Sequence, residues 1–370
     1  MSLANTPEGH GIHTRDCLEL LQSLPNNSVD LVFCSPPYED ARTYGIDFKL
    51  AGEKWVEWAV ERYIECVRVS RGLVAWVVEG RTRNFQWSAT PVLFMAELHK
   101  RGVKLRKPPI YHRVGIPGSG GPDWFRNDYE FIVCASKGKL PWSDNTSMGH
   151  APKWTPGGDP SNRTRSGKRI RMTWSEKEAL GAKKHSKRDA GRTRNQMYLP
   201  PAKANPGNVI TCKAGGGHLG SHIAHENEAP FPEKLPEFFI RSCCPPGGIV
   251  LDIFGGSGTT LAAAHLADRI CWSVDIRESQ SALTMKRYEE AKERKNANRR
   301  SEETVEASTE GAEESEVLHA DSTGDCGEVC GDSFPLERGH REDAPSAEVA
   351  GCGSSLNSES SSGADDFQLI

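Results

Sequence analysis

Two short stretches, far apart in the chain, hold residue types that can do chemistry together. Ser35, Pro36, Pro37 and Tyr38 end the apolar run LVFCSPPY. Two successive prolines fix φ and bar a helix, so the Ser35 hydroxyl, the Ser35 and Pro36 carbonyls and the Tyr38 ring are held where the run ends. A hydroxyl, a fixed carbonyl and an aromatic face can accept hydrogen bonds from an amino group on a planar ring and stack on that ring. The plainer alternative is a stiff strand exit with a surface tyrosine. The second stretch, IVLDIFGGSGTT at 249–260, passes from an apolar run through Gly255, Gly256, Ser257 and Gly258 into Thr259. Its glycines let backbone approach a ligand closely, and the free amides of a following helix start would face it. The spacing is not GxGxxG and no lysine follows, which disfavours a dinucleotide or a triphosphate and leaves a nucleoside. Asp275, closing WSVDI, lies 23 residues after Asp252. That is close to the ~20-residue offset at which an acidic side chain meets ribose hydroxyls in doubly wound folds. A surface carboxylate is the bland alternative.

These residues need strands that end at one edge of a sheet. LVFC (31–34), LVAWVV (73–78), FIVCAS (131–136), IVLDIF (249–254) and ICWSVDI (270–276) are nearly all apolar. Such runs suit strands covered on both faces. Between the first two, Trp55, Val56, Ala59, Val60, Tyr63, Ile64 and Val67 recur at helical spacing and predict an amphipathic crossover helix. Ser257–Asp268 predicts a second, shorter one. Strands alternating with helices imply an α/β, Rossmann-like, parallel doubly wound sheet.

The 370 residues suffice for about two domains. Mean hydropathy is -0.57. No apolar run approaches the ~20 residues that cross a bilayer, and Met1–His10 lacks the basic start and apolar core of a secretory leader, so neither is expected. The eleven cysteines lie mostly in apolar strings without a CxxC pair, as reduced thiols do. The net charge of -4 sums two opposed segments. Residues 301–370 hold 18 Asp or Glu against two Arg, with almost no aromatic residues, and are expected to be disordered. Residues 137–213 hold 17 Lys or Arg against 5 Asp or Glu, a net of +12, in loop-rich sequence. Charge so concentrated points to a polyanion. Arg163, Arg165, Lys168, Arg169 and Arg171, flanked by Trp154 and Trp174, suit phosphate contacts and base stacking; a solvated basic loop is the alternative. His218, His222 and His225 could share a helical face for a metal, but the preceding AGGG and the lack of a carboxylate in the run favour a loop, and no metal is expected.

Together the two motifs, in this order, resemble the amino-methylating DNA methyltransferases, in the circularly permuted group whose catalytic tetrapeptide precedes the cofactor loop. Its Asp/Asn/Ser-Pro-Pro-Tyr signature is matched by Ser35–Tyr38, and its FxGSG-type loop by Phe254–Gly258. DCLELLQSLPNNSVD, WFRNDYEFIVCASK and APFPEKLPEFFI agree in order, so the resemblance covers roughly residues 12–290. RVSRGLVAWVV lacks the family's Lys-Pro-Gly-Gly turn, and Arg15 stands where a glycine is common before Asp16; neither departure falls on the Ser-Pro-Pro-Tyr or glycine-loop residues.

The resemblance implies S-adenosylmethionine as cofactor, held by Asp16, Phe231, Asp252, Phe254, Gly255, Gly256, Ser257, Gly258, Thr259 and Asp275. It implies catalysis by Ser35, Pro36, Pro37 and Tyr38 on the exocyclic amine of a flipped base, with Tyr38 as the stacking partner. It makes double-stranded DNA the partner, a cognate restriction endonuclease a further one, and the setting the cytoplasm of a bacterium or its phage. Serine in the first position favours cytosine N4, with adenine N6 the alternative. A catalytically silent nucleic-acid-binding protein of the same fold and an RNA or protein methyltransferase are the rivals. The implied organisation is a catalytic half (1–136), a basic target-recognition insert (137–225), a cofactor half (226–296) and an acidic tail (297–370).

Overall fold

The computed structural model describes residues 3–7, 9–40, 48–115, 120, 123–151, 162–163, 169–170, 202–215, 217–227 and 229–317. The chain divides into two units, Met1–Ser308 and Thr309–Ile370. The first holds the principal sheet, whose strands are β1 (Leu3–Asn5), β2 (Gly11–Thr14), β3 (Val29–Cys34), β4 (Ser70–Val78), β5 (Ile110–Val114), β6 (Tyr129–Ser136), β7 (Val209–Lys213), β8 (Ile249–Asp252) and β9 (Ile270–Asp275). Their order across the sheet is β1-β2-β9-β8-β3-β4-β6-β5-β7.

The central strands are buried on both faces, and alternation divides their side chains between two cores. Val32, Cys34, Val74 and Trp76 enter one core. There they meet α1 (Cys17–Ser23), α2 (Gly52–Val69) and α3 (Thr90–Lys100), which contribute Leu21, Trp55, Tyr63 and Phe94. Leu31, Phe33, Leu73 and Ala75 enter the other. It is covered by α4 (Lys234–Cys243), α5 (Thr259–Leu266) and the start of α6 (Glu278–Val317), through Leu235, Phe239, Leu261 and Tyr288. The expected crossover helix at 53–69 is α2, its apolar stripe inward.

Three sequence expectations are corrected. The sheet is not wholly parallel: β6 runs antiparallel to both β4 and β5, and β1 antiparallel to β2. Among the described residues between β5 and β6 there is no helix, and strands joined without a crossover pair antiparallel. Within the stretch expected to be a loop-rich insert, β7 adds a parallel strand beside β5. Ile210 and Cys212 alternate inward there with exposed neighbours, the period of a half-buried strand. Finally, α6 continues to Val317, into the segment expected to be disordered. Glu and Ala, which dominate SEETVEASTEGAEESEV, are strong helix formers, so helical spacing there needs no apolar stripe. Residues 318–370 lie outside the described residues.

At the end of the sheet opposite the cleft, β3 and β4 approach so closely that a Cβ on Gly72 would lie 2.0 Å from the Asp30 carbonyl oxygen. Gly72→Ala should therefore lower stability by about 1–3 kcal/mol, the usual cost of forced overpacking. Urea unfolding measures it; an unchanged midpoint would show that the two strands part there without cost.

Candidate active site

β3 and β8 are adjacent and parallel, with Val250 beside Leu31 and Leu251 beside Val32. From β3 the chain turns toward α2 on one face, and from β8 toward α5 on the other. Connections that leave neighbouring carboxyl ends in opposite directions open a crevice at the strand ends. A cleft opens there, at the carboxyl ends of the strands. Ser35, Pro36, Pro37 and Tyr38 form one wall; Phe254, Gly255, Gly256, Ser257 and Thr259 form another, and Asp16, Phe231 and Asp275 also line it.

On the first wall, Ser35 Oγ lies 3.2 Å from both the Val77 carbonyl oxygen and the Tyr38 hydroxyl. Tyr38 in turn donates to Glu130 Oε2 at 2.7 Å, and Arg113 pairs with Glu130 at 2.9 Å. The Pro37 carbonyl accepts from Trp55 Nε1 at 2.8 Å, so the turn is fastened from both sides. The next residue, Glu39, is buried, and its carboxylate accepts from the Gly52 amide at 2.8 Å, from Thr90 Oγ1 at 2.5 Å and from the Arg81 amide at 3.4 Å. Burial alone would raise its pKa, but hydrogen bonding, with Ser88 and Thr90 foremost, outweighs that and holds the carboxyl below its usual value. Glu39 thus ties the tetrapeptide's exit to the starts of α2 and α3. Nearby, burial first and then the Glu130 charge push Glu79 up to about 7.

The second wall differs from expectation in its amides. Gly255 N donates to the Val274 carbonyl, Gly256 N to Asp275 Oδ2 and Gly258 N to the Gly255 carbonyl, at 2.7, 3.1 and 2.9 Å. Those glycine amides are committed within the protein and make no anion cradle; the acidic group at this end of the cleft is the Asp275 carboxylate, whose Oδ1 accepts from the Arg277 amide at 2.9 Å. Gly255 and Gly256 need glycine for different reasons. A Cβ on Gly255 would lie 2.1 Å from Ser273 Oγ, while Gly256 has φ +51° and leans on Asn227. Asp16 lines the cleft while capping α1, its Oδ1 accepting from the Leu18 and Glu19 amides at 2.8 and 3.3 Å. The Arg15 amide donates to the Asp275 carbonyl at 3.1 Å, which brings the two acidic residues together. Phe231 packs edge-on to Phe33 at 5.7 Å. Its segment is clamped by Glu233, which pairs with the fully buried Arg287 at 3.0 Å and with Arg294 at 2.9 Å.

Asp252 and Gly258 do not face the cleft. Asp252 is 1% exposed and accepts from the Phe254 amide at 3.0 Å, shaping the loop from beneath. Gly258 caps α5. Residues that sequence reasoning missed include Phe48, Trp58, Asn227 and Arg277. Trp58 completes an aromatic wall, its ring 5.7 Å from Phe254 and 5.0 Å from Phe48, with Arg62 stacked over it at 4.5 Å. It flanks the apolar stripe of α2, and a tryptophan beside a helix's buried face was the signal available. Of the basic cluster, Asn162–Arg163 pairs antiparallel with Arg169–Ile170 in a short ribbon; Arg165, Lys168, Arg171, Trp154 and Trp174 lie outside the described residues. His222 and His225 fall in a short 3-10 turn. The eight described cysteines are free thiols, seven of them buried. Among the described residues no helix is long and apolar enough to cross a membrane.

The sheet is doubly wound and mostly parallel, with an antiparallel strand near its far edge, and the cleft at its switch point has the Ser-Pro-Pro-Tyr turn on one lip and a glycine turn on the other. The DNA methylase family of N6 and N4 methyltransferases matches residues 29–286, and the chain belongs to that family. It is similar to the orphan methyltransferase M.BamHII of Bacillus amyloliquefaciens, 29% identical over 257 residues, 67% of this chain and 84% of that one. It is also similar to the type II methyltransferase M.PvuII of Proteus hauseri, 25% identical over 77% of this chain and 85% of that one. The solved PvuII DNA methyltransferase (cytosine-N4-specific) shares the fold, with a TM-score of 0.53 and 20% identity over 80% of this chain and 95% of that one.

Burial raises the Asp252 pKa to about 7, above an unfolded value near 4. Between those pH values the folded protein keeps a proton that the unfolded chain has lost, so this group makes stability fall as pH rises. The stability of Asp252→Asn relative to the parent should accordingly grow from pH 5 to pH 8 in urea unfolding. A difference independent of pH would mean that Asp252 is ionised in the fold.

Proposed function

We propose that this DNA methyltransferase moves a methyl group from S-adenosylmethionine to the exocyclic amine of a base flipped out of duplex DNA, with cytosine N4 the favoured acceptor. The observation that carries this reading is that the Ser35–Tyr38 turn and the Phe254–Thr259 turn line one cleft. The second turn suits a nucleoside without phosphates: its three glycine amides are committed, a carboxylate stands at its end, and aromatic rings flank it. When bound there, S-adenosylmethionine supplies an electrophilic methyl group on a sulfonium centre.

The acceptor amine is a poor nucleophile because its lone pair is delocalised into the base. Ser35 Oγ and the Pro36 carbonyl can accept its hydrogens and draw the nitrogen toward a pyramidal shape, freeing the lone pair for in-line attack; the N–C bond forms as the S–C bond breaks, a neutral thioether leaves, and the surplus proton of the amine passes to water. The Tyr38 ring, fixed through its hydroxyl by Glu130, offers the base a stacking face. No covalent enzyme intermediate is required. Cytosine is favoured by serine at the first position, and the PvuII enzyme whose fold the chain shares is cytosine-N4-specific. Incubation of methyl-free genomic DNA with tritiated S-adenosylmethionine, followed by nucleoside analysis, tests this. N4-methylcytosine is expected; N6-methyladenine would move the acceptor, and no label in DNA would overturn the reading.

Two consequences concern the walls and the basic insert. Ser35→Ala and Tyr38→Ala should lower kcat at least tenfold with cofactor Kd nearly unchanged, as loss of one transition-state contact does. Gly256→Val should instead weaken cofactor binding, since its Cβ would stand 2.9 Å from Asn227 Nδ2 at a φ of +51°. Calorimetric titration separates the two, and equal loss of cofactor affinity in Tyr38→Ala and Gly256→Val would refute the division.

If Arg163, Arg165, Arg169 and Arg171 meet phosphates, replacing all four by Ala should flatten the dependence of log K on log salt by up to about 4. An unaltered slope would move DNA contact to another segment.

A further inference from the structure

We infer that the turn at Asn84–Phe85 is a wedge that enters the DNA duplex, with Phe85 filling the space a flipped base leaves behind. The inference rests on the base-flipping reading above and adds the element that would drive it. Directly after β4, Thr82–Arg83 pairs antiparallel with Gln86–Trp87, leaving Asn84 and Phe85 as a two-residue loop. Both have positive φ, 49° and 60°, as a type I′ turn requires. Asparagine tolerates that region, but the second position is one where glycine is strongly preferred and a bulky side chain is an outlier. The Phe85 side chain gains nothing from the fold in return, being 80% exposed. Strain held without local compensation is the mark of a residue kept for function.

The hairpin's base is fastened beside the catalytic turn. Arg81 pairs with Asp40, and its amide reaches Glu39 Oε1 at 3.4 Å and Ser88 Oγ at 3.0 Å. Trp87 stacks on Phe131 at 6.3 Å and donates to Glu79 Oε1 at 3.2 Å. Phe131 follows Glu130, the partner of Tyr38. The tip is thus an apolar ring on a rigid stem anchored to the two residues that follow the tetrapeptide, with the Arg83 guanidinium at its flank to meet phosphate. Flipping a base breaks a pair and two stacking contacts, and apolar side chains inserted between base steps recur where proteins distort DNA. Trp124 and Phe125 are also exposed, but neither has the positive φ that marks Phe85.

The test uses the full chain and a duplex carrying the site mapped from the parent's methylated genomic DNA, once with the normal partner base and once with an abasic position opposite the target. Phe85→Ala and Phe85→Gly should methylate the paired duplex about 10- to 100-fold more slowly than the parent, yet come within about threefold of it on the abasic duplex, where unpairing is already done. Phe85→Leu, which keeps an apolar wedge, should retain most of the rate on the paired duplex. Phe85→Gly should melt at or above the parent's Tm, because glycine relieves the turn. Equal loss on both duplexes, no loss on the paired one, or a lowered Tm for Phe85→Gly would overturn the wedge. Failure of the parent on both duplexes would instead overturn the methyltransferase reading.

Discussion

The parallel pairing of β3 with β8 is the constraint on which the remainder depends. It sets side by side two strand ends that are more than two hundred residues apart in the chain, one delivering Ser35–Tyr38 and the other Phe254–Thr259. Because α2 and α5 lie on opposite faces, the chain diverges as it leaves the two strands, and the crevice between them is a geometric result rather than a product of any side chain. Shifting that register by one residue would exchange the faces to which Leu31 and Val32 belong, and with them both cores.

Around that pairing, a few buried polar groups convert loops into fixed walls. Glu39 gathers a helix amide, a strand-exit amide and the Thr90 hydroxyl onto one carboxylate. Glu233 and Arg287 do the same for the segment that carries Phe231. Groups of this kind are costly to bury unless fully partnered, so each holds its neighbours to one arrangement. The result is a cleft whose walls are fixed before any ligand arrives.

The electrostatics of the site follow from burial more than from net charge. Asp252 and Glu79 are both pushed to about 7 by desolvation, yet neither lines the cleft. Asp275 and Asp16 do line it and spend their oxygens on backbone amides, Gly256 for the one, Leu18 and Glu19 for the other. Carboxylates that face the cleft therefore also hold the fold around it.

Much was legible in the chain by itself. Apolar runs marked five of the principal strands, helical spacing marked α2, and residue chemistry marked both motifs, because each depends on neighbours within a few positions. Asp16 and Phe231 came from the family resemblance and Asp275 from its offset from Asp252, and all three lie in the cleft. The antiparallel direction of β6, the addition of β7 to the sheet edge and the persistence of α6 to Val317 were not read, since pairing direction and the fate of a polar stretch are set by partners or by summed propensity rather than by a local apolar pattern. Trp58 and Glu39 were hidden for the same reason: a tryptophan beside a buried stripe and a glutamate after a turn acquire their roles from α2, α3 and the glycine loop. Sequence determined which residues could do the chemistry; tertiary structure decided which of them meet, because a parallel sheet joins strand ends that no local rule connects.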